Sequence, residues 1–232
     1  MMADDKWVAL IDVDGMVHAA QWKNTIEASI GVLDAMIHDA ITDVFADKYH
    51  IACKGAGNFR NMLSPRYKQH RNRNAELEKH LAALLGHAKQ AWGAVPAYGF
   101  EADDLICSWR WYYEQQPGWT PIIIANDKDM LTVSGHHYNY RKKDYMLIGK
   151  EEAYYRFVLQ LLEGDQTDGI QGIPGIGPKK AKAILAETQP EQYLKRIREE
   201  YANYYGKSGL TELQLTADLI YIRPHANSRF IV

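Results

Sequence analysis

Apolar residues recur along the chain with two different periods, and the alternation between those periods predicts an α/β fold. Apolar-rich runs at residues 7–11, 49–53 and 121–125 are bounded by polar or turn residues, as expected of strands buried on both faces of a mostly parallel sheet. Between them the apolar positions return every three or four residues. Ile26, Ile30, Leu33, Ile37, Ile41 and Val44 mark a covering helix over 25–46, and Leu77, Leu81, Leu84, Leu85 and Ala88 mark another over 75–92. A helix over 105–113, short edge strands near 137–140 and 145–148, and a helix over 151–162 continue the alternation. Beyond residue 186 only helical stretches remain, at 189–204 and 210–222, and 223–232 should tuck against the core. The expected architecture is a mostly parallel central sheet flanked by helices over 1–150, followed by a helical subdomain over 151–232.

At 232 residues the chain is long enough for one or two domains with a sizeable core. The formal net charge of −2 is unlike that of a protein that coats DNA passively. The charge is segregated instead: residues 48–75 hold no acid but contain Lys48, Lys54, Arg60, Arg66, Lys68, Arg71 and Arg73. Such a basic stretch is either a solvated loop or a phosphate-binding one. Cys53 and Cys107 have neither metal-binding spacing nor the number for a disulfide framework, which fits a reducing compartment. With no bilayer-length apolar run and no signal-peptide pattern, the expected location is the cytoplasm, without a membrane partner.

The candidate chemistry lies where strands end and helices begin. Asp12 follows the first strand, at the edge where open α/β sheets gather their ligands, although capping the next helix would also explain it. Glu101, Asp103 and Asp104 open the helix of 105–113, and three acids in four residues exceed what a helix N-terminus needs. Asp127 and Asp129 follow the strand of 121–125, and Asp165 and Asp168 precede the turn Gly175-Ile176-Gly177-Pro178-Lys179-Lys180. Acids hold divalent cations, and a glycine turn entering a helix presents N–H groups to a phosphate. In that turn Gly175 and Gly177 permit positive φ, and Pro178 suits the first helical position. Read alone, the turn is equally an ordinary Gly-Pro loop before an amphipathic helix.

Taken together and in order, the segments from residue 11 to about 186 resemble the 5′ nuclease family, the flap endonucleases and 5′→3′ exonucleases of phages and bacterial DNA polymerases, and most of all its short phage members. Residues 160–186 resemble that family's helix-three-turn-helix, Glu101-Ala102-Asp103-Asp104 its metal-binding acids, and Asp127-Lys128-Asp129 its strand-end acids. Phe59-Arg60, Tyr67-Lys68 and Arg71 resemble its basic segment, and residues 60–92 occupy the place of its arch or clamp. One position departs: Cys53 stands where the resemblance calls for a strand-end aspartate, and a thiol is a poor partner for Mg²⁺, so one cation site should be weakened.

The resemblance implies a PIN-like nuclease fold and two-metal hydrolysis of phosphodiester bonds at the 5′ ends of flapped or recessed duplex DNA, and of RNA primers on DNA, during phage replication or recombination. Asp12, Glu101 and Asp103 would hold the first Mg²⁺, and Asp103, Asp104, Asp127, Asp129, Asp165 and Asp168 the second, with Mn²⁺ able to substitute. Lys68 and Arg60 would approach the scissile phosphate. Tyr67 would stack on a base, and Arg71, Arg73, Gly175, Gly177, Lys179 and Lys180 would hold the DNA, with potassium at the turn. The implied protein is a monomer working in the host cytoplasm beside replication proteins such as a single-strand binding protein. Two other readings stay open: a structure-specific DNA-binding protein with catalysis impaired at Cys53, and a haloacid-dehalogenase-type phosphatase, which Asp12-Val13-Asp14-Gly15 also resembles.

Overall fold

A computed structural model describes residues 6–21, 25–69 and 75–232, so Arg71 and Arg73 lie outside the described residues. The sheet is built around β1 (Lys6–Asp12), whose residues Val8 to Ile11 are wholly buried. Parallel neighbours flank it, β2 (Lys48–Lys54) on one side and β4 (Trp119–Ile124) on the other. β3 (Val95–Ala97) extends the sheet beyond β2, β5 (Gly135–Asn139) beyond β4, and antiparallel β6 (Asp144–Ile148) closes it, giving the order β3-β2-β1-β4-β5-β6. The chain runs from β1 to β2 on one side and returns to β4 on the other. That reversal beside β1 is the switch point at which open α/β sheets leave a crevice at their C-terminal edge.

Helices α1 (Val13–Ala20), α2 (Ile26–Asp43) and α4 (Ala75–Trp92) bury Met16, Leu33, Ile37 and Leu84 against Ile11, Ile51 and Ile124. The short α3 (Arg60–Leu63) lies between β2 and α4, and α5 (Ala102–Tyr113) covers the other face with Ile106 against Val8, Leu10 and Ile123. Thr25 caps α2 by accepting the Ala28 amide at 3.1 Å.

The C-terminal helices form a second core. α6 (Lys150–Glu163), α7 (Pro178–Leu185), α8 (Tyr193–Tyr205) and α9 (Gly209–Ile220) bury Val158, Leu161, Leu162, Ala181, Ile197, Tyr201 and Leu213 together. The Tyr201 hydroxyl is satisfied in this interior by donating to Leu161 O at 2.6 Å. Between α6 and α7 the chain makes a two-stranded hairpin, β7 (Gly164–Asp165) with β8 (Ile170–Gln171). No periodicity announces that hairpin, because strands of two residues are too short to show one, and α1 is likewise missing from the helices expected above.

Candidate active site: a carboxylate pocket at the sheet edge

The register carries the acids to one place. Ile11 pairs with Ile124, so Asp12 and Asp127 leave the same edge of adjacent strands at the switch point. Asp12 caps α1, its Oδ1 accepting the Asp14 amide at 3.1 Å, and Asp127 Oδ1 accepts the Asp129 amide at 2.9 Å. Gln160 of α6 holds Asp129 from the helical side, donating from Nε2 to Oδ1 at 2.6 Å. In the β7–β8 turn Asp165 Oδ1 accepts the Thr167 and Asp168 amides at 2.8 and 3.3 Å. Glu101, Asp103, Asp129, Asp165 and Asp168 line the resulting pocket.

Lys68, in the segment after α3, reaches two of these acids. Its ammonium pairs with Glu101 Oε1 and stands 3.3 Å from Asp168 Oδ2. The backbone is held just as firmly, the Lys68 amide donating to Asp168 O at 2.8 Å. Lys68 has φ of +54°, a conformation that a long side chain adopts only under constraint. The constraint is visible at Gly169, where a Cβ would lie 2.4 Å from Arg66 O, so only glycine lets the 66–68 segment dock on the hairpin.

Crowding sets the charge state. Burial, then the charges of Asp14 and Asp127, push the Asp12 carboxyl up to about 7. Asp103 is held well above the usual carboxylate range by burial and by Asp12, Glu101 and Asp127. Asp129 is pushed to about 7 by burial, then by Asp127 and Asp165. These acids ionise fully only if positive charge is supplied. The donors are hard oxygens of the kind Mg²⁺ and Mn²⁺ select, and the Lys68 ammonium stands in for a cation between two of them. Among the described residues no three His, Cys, Asp or Glu side chains are placed to hold one ion together.

Several expectations are corrected. Asp104 does not face the pocket: its Oδ2 accepts from Arg60 Nη1 at 2.6 Å and the Glu101 amide at 3.0 Å, and its Oδ1 from Arg60 Nη2 at 3.0 Å and the Arg223 amide at 2.8 Å. Both oxygens are thus committed, leaving none for a metal. Arg60 lines the pocket but is only 2% exposed, and its guanidinium, which also donates to Leu219 O and Tyr221 O, is committed to bolting α5 to the end of α9 instead of reaching for a phosphate. Tyr67 is buried in the C-terminal core with its hydroxyl on Glu101 Oε2 at 2.7 Å, so it orients an acid instead of stacking on a base. Cys53 is wholly buried with Ile51 and Leu84, its thiol pushed to about 11 by burial and then by Asp14. An aspartate there would carry its charge into the core.

At the turn before α7, Gly175 has φ of +81°, whereas Gly177 is extended at −103° as the helix N-cap and needs no glycine geometry. Lys179 and Lys180 are exposed at the helix start, and Lys180 Nζ donates to Gly175 O at 2.9 Å. The expected metal sites include neither Gln160 nor Asp14, although Asp14 belongs to the Asp12-Val13-Asp14-Gly15 stretch noted above.

Known proteins share this arrangement of elements. The model of the 5′-3′ exonuclease N-terminal resolvase-like domain matches residues 13–158. DNA polymerase I of Rhizobium leguminosarum is 31% identical over 160 residues, 63% of this chain and 16% of that protein. A 5′-3′ exonuclease of Buchnera aphidicola is 32% identical over 138 residues, 55% of this chain and 48% of that protein. The matched parts thus span about half or less of those relatives. Among solved structures, the D15 protein of bacteriophage T5 co-crystallised with metal ions superposes with a TM-score of 0.77 at 18% identity, covering 94% of this chain and 90% of that one. The same phage protein as a flap endonuclease with DNA and metal ions gives 0.66 at 15% identity, over 91% and 99% of the two chains. At such identity the likeness is one of fold, and it extends through the helical C-terminal region.

Proposed function

The chain belongs to the 5′-3′ exonuclease family, and from that premise we propose that it hydrolyses phosphodiester bonds at the 5′ ends of duplex or flapped DNA. The observation that carries the reading is the pocket lined by Glu101, Asp103, Asp129, Asp165 and Asp168, with Lys68 paired to two of those acids. Asp12, Glu101, Asp103, Asp127, Asp129, Asp165 and Asp168 would hold two Mg²⁺ ions, for which Mn²⁺ can substitute. When bound, such ions activate a water and stabilise the leaving 3′ oxygen of an in-line displacement. Lys68 places a positive charge where the transferred phosphate develops negative charge, on a backbone already fixed by Asp168 and Gly169. Tyr67 and Gln160 orient Glu101 and Asp129.

The duplex would be held through its phosphates by the first turn of α7, with Lys179 and Lys180 beside it, which gives preference for structure without sequence readout. Lys180 on Gly175 O already supplies that turn with one cation, and potassium would add a second. An RNA primer on DNA offers the same backbone, and primer removal or end resection in phage replication, beside a single-strand binding protein, is the setting we favour. The phage D15 protein of similar fold supports that choice. Family membership speaks against the phosphatase reading, and the five acids that line the pocket favour catalysis over a purely DNA-binding role.

A 5′-flapped duplex and a 3′-flapped control, each incubated with Mg²⁺ or chelator, test the reading. Cleavage of the 5′ strand alone, and only with Mg²⁺, is expected. Binding without cleavage would mean a DNA-binding protein on a nuclease fold, and neither binding nor cleavage would sink the proposal.

A further inference from the structure

The chain leaving α9 runs past the pocket and carries a cation with no acid of its own. Leu219, Ile220 and Ile222 line the pocket, and Arg223 follows them. Its backbone is fixed, the Arg223 amide donating to Asp104 Oδ1 at 2.8 Å. Its half-buried side chain is fixed as well: the guanidinium carbon stands 3.6 Å from the centre of the Phe59 ring, and the Phe59 amide donates to Gly99 O at 3.0 Å. Phe59 immediately precedes Arg60, another residue of the pocket lining, so the stack lies at the pocket's rim.

Charges around this stack do not balance. Arg60 also leans on the Phe59 ring, its guanidinium carbon 4.6 Å from the centre. Of the two acids whose charges bear on Arg223, Asp104 has both oxygens on Arg60, and Asp218 has both on Arg229. Among the described residues the Arg223 guanidinium forms no ion pair, and burial followed by the charge of Arg60 lowers its pKa from the ordinary arginine value. An arriving anion would relieve both effects. A guanidinium stacked through its face still presents N–H groups along its edge, the geometry that takes a phosphate by two hydrogen bonds.

We propose that Arg223 is a positioning residue that binds a backbone phosphate of the DNA beside the scissile bond, with Phe59 holding its guanidinium in place. The inference rests on the reading of the pocket as a nuclease site for DNA. Lys68 is paired with Glu101 and Asp168, and Arg60 with Asp104, whereas the Arg223 guanidinium is uncommitted. The competing role is a clip alone, in which the stack on Phe59 fastens the C-terminal segment and no DNA is touched.

The test uses the full chain and 5′-flapped duplexes, each with one backbone phosphate near the cleavage site replaced by a neutral methylphosphonate. Affinity is read by fluorescence anisotropy with Ca²⁺ in place of Mg²⁺. Wild type should lose about 10-fold in affinity at one position, as expected for a hydrogen bond between charged groups. Arg223→Gln should bind unmodified DNA about 10-fold more weakly and lose nothing more at that position, the signature of a shared contact. Its salt dependence should flatten by about one unit of slope, and Arg223→Lys, which keeps the charge, should retain the wild-type slope. Arg223→Gln that remains sensitive at every position where wild type is sensitive overturns the inference and leaves Arg223 a clip. The Arg223 Nε–H resonance of wild type answers without a variant. It should shift on adding the unmodified duplex and shift less with the sensitive methylphosphonate, and a resonance that DNA does not move overturns the inference. Mg²⁺-dependent cleavage by wild type is scored separately: its absence overturns the nuclease reading and the inference with it, whereas cleavage together with an unaltered Arg223→Gln scan overturns the inference alone.

Discussion

Lys68→Met should move two measurable quantities in opposite directions. Methionine keeps much of the side chain's length and apolar body but removes the ammonium that pairs with Glu101 Oε1 and stands 3.3 Å from Asp168 Oδ2. At that separation a unit charge pair is worth about 1 kcal/mol in water and about 5 kcal/mol at an effective dielectric constant of about 20. The Lys68 side chain is 23% exposed, which places the value between those limits. A divalent ion entering the wild-type pocket must compete with this ammonium for the same two acids. Removing it should therefore tighten Mn²⁺ binding in the absence of DNA, by about 10-fold for each 1.4 kcal/mol of competition released. Cleavage should fall by about 10²- to 10³-fold, the usual consequence of deleting one charge-stabilising donor. Calorimetry with Mn²⁺ and single-turnover cleavage of a 5′-flap substrate read the two effects separately. Weaker ion binding in the variant would refute the idea that Lys68 stands in for a cation, and undiminished cleavage would refute its role at the phosphate.

Other consequences can be checked alongside. Asp12 and Asp129 have carboxyl groups raised to about 7 in the folded chain, against an ordinary value of 3.8. The native state therefore binds more protons than the unfolded state between about pH 4 and 7, so metal-free stability should fall as pH rises through that window and level off above it. Saturating Mg²⁺ should flatten the fall, and thermal unfolding across pH with and without the ion checks both. Arg60→Met should cost about 3–5 kcal/mol by leaving Asp104 buried and unpaired, seen as a lowered denaturation midpoint, and any lost activity should track lost fold. Replacing both Lys179 and Lys180 with Gln should weaken duplex binding equally for all sequences. The salt dependence of that binding, followed by fluorescence anisotropy, should flatten by about one unit of slope for each phosphate no longer neutralised, with Mn²⁺ affinity unchanged.

Much of this was legible because it is local. The strand–acid junctions at Asp12 and Asp127 follow from an apolar run and the residue that ends it, and the sheet register then brings the two acids together without further instruction. The turn before α7 is read from Gly175 and Pro178, which impose backbone geometry within a few residues. The assignments that failed are those settled by distant partners. Nothing near Asp104 distinguishes it from Asp103; the partner that turns it away is Arg60, 44 positions upstream, and Arg60 is itself fixed by Leu219, 159 positions further on. Tyr67 is decided by Glu101 in the same way, across 34 positions.

Cys53 is an intermediate case. Strand alternation puts it on the face of Ile51, opposite Ala52, and both Ile51 and Cys53 pack into the core that α1, α2 and α4 cover. A period of two read from β2 alone would have directed the thiol inward. A motif match transfers residue types to positions, but orientation is a property of the pairing around each position. The pocket should accordingly be judged by which oxygens remain uncommitted. By that criterion Asp104 leaves the metal-binding acids, because each of its oxygens already accepts two hydrogen bonds.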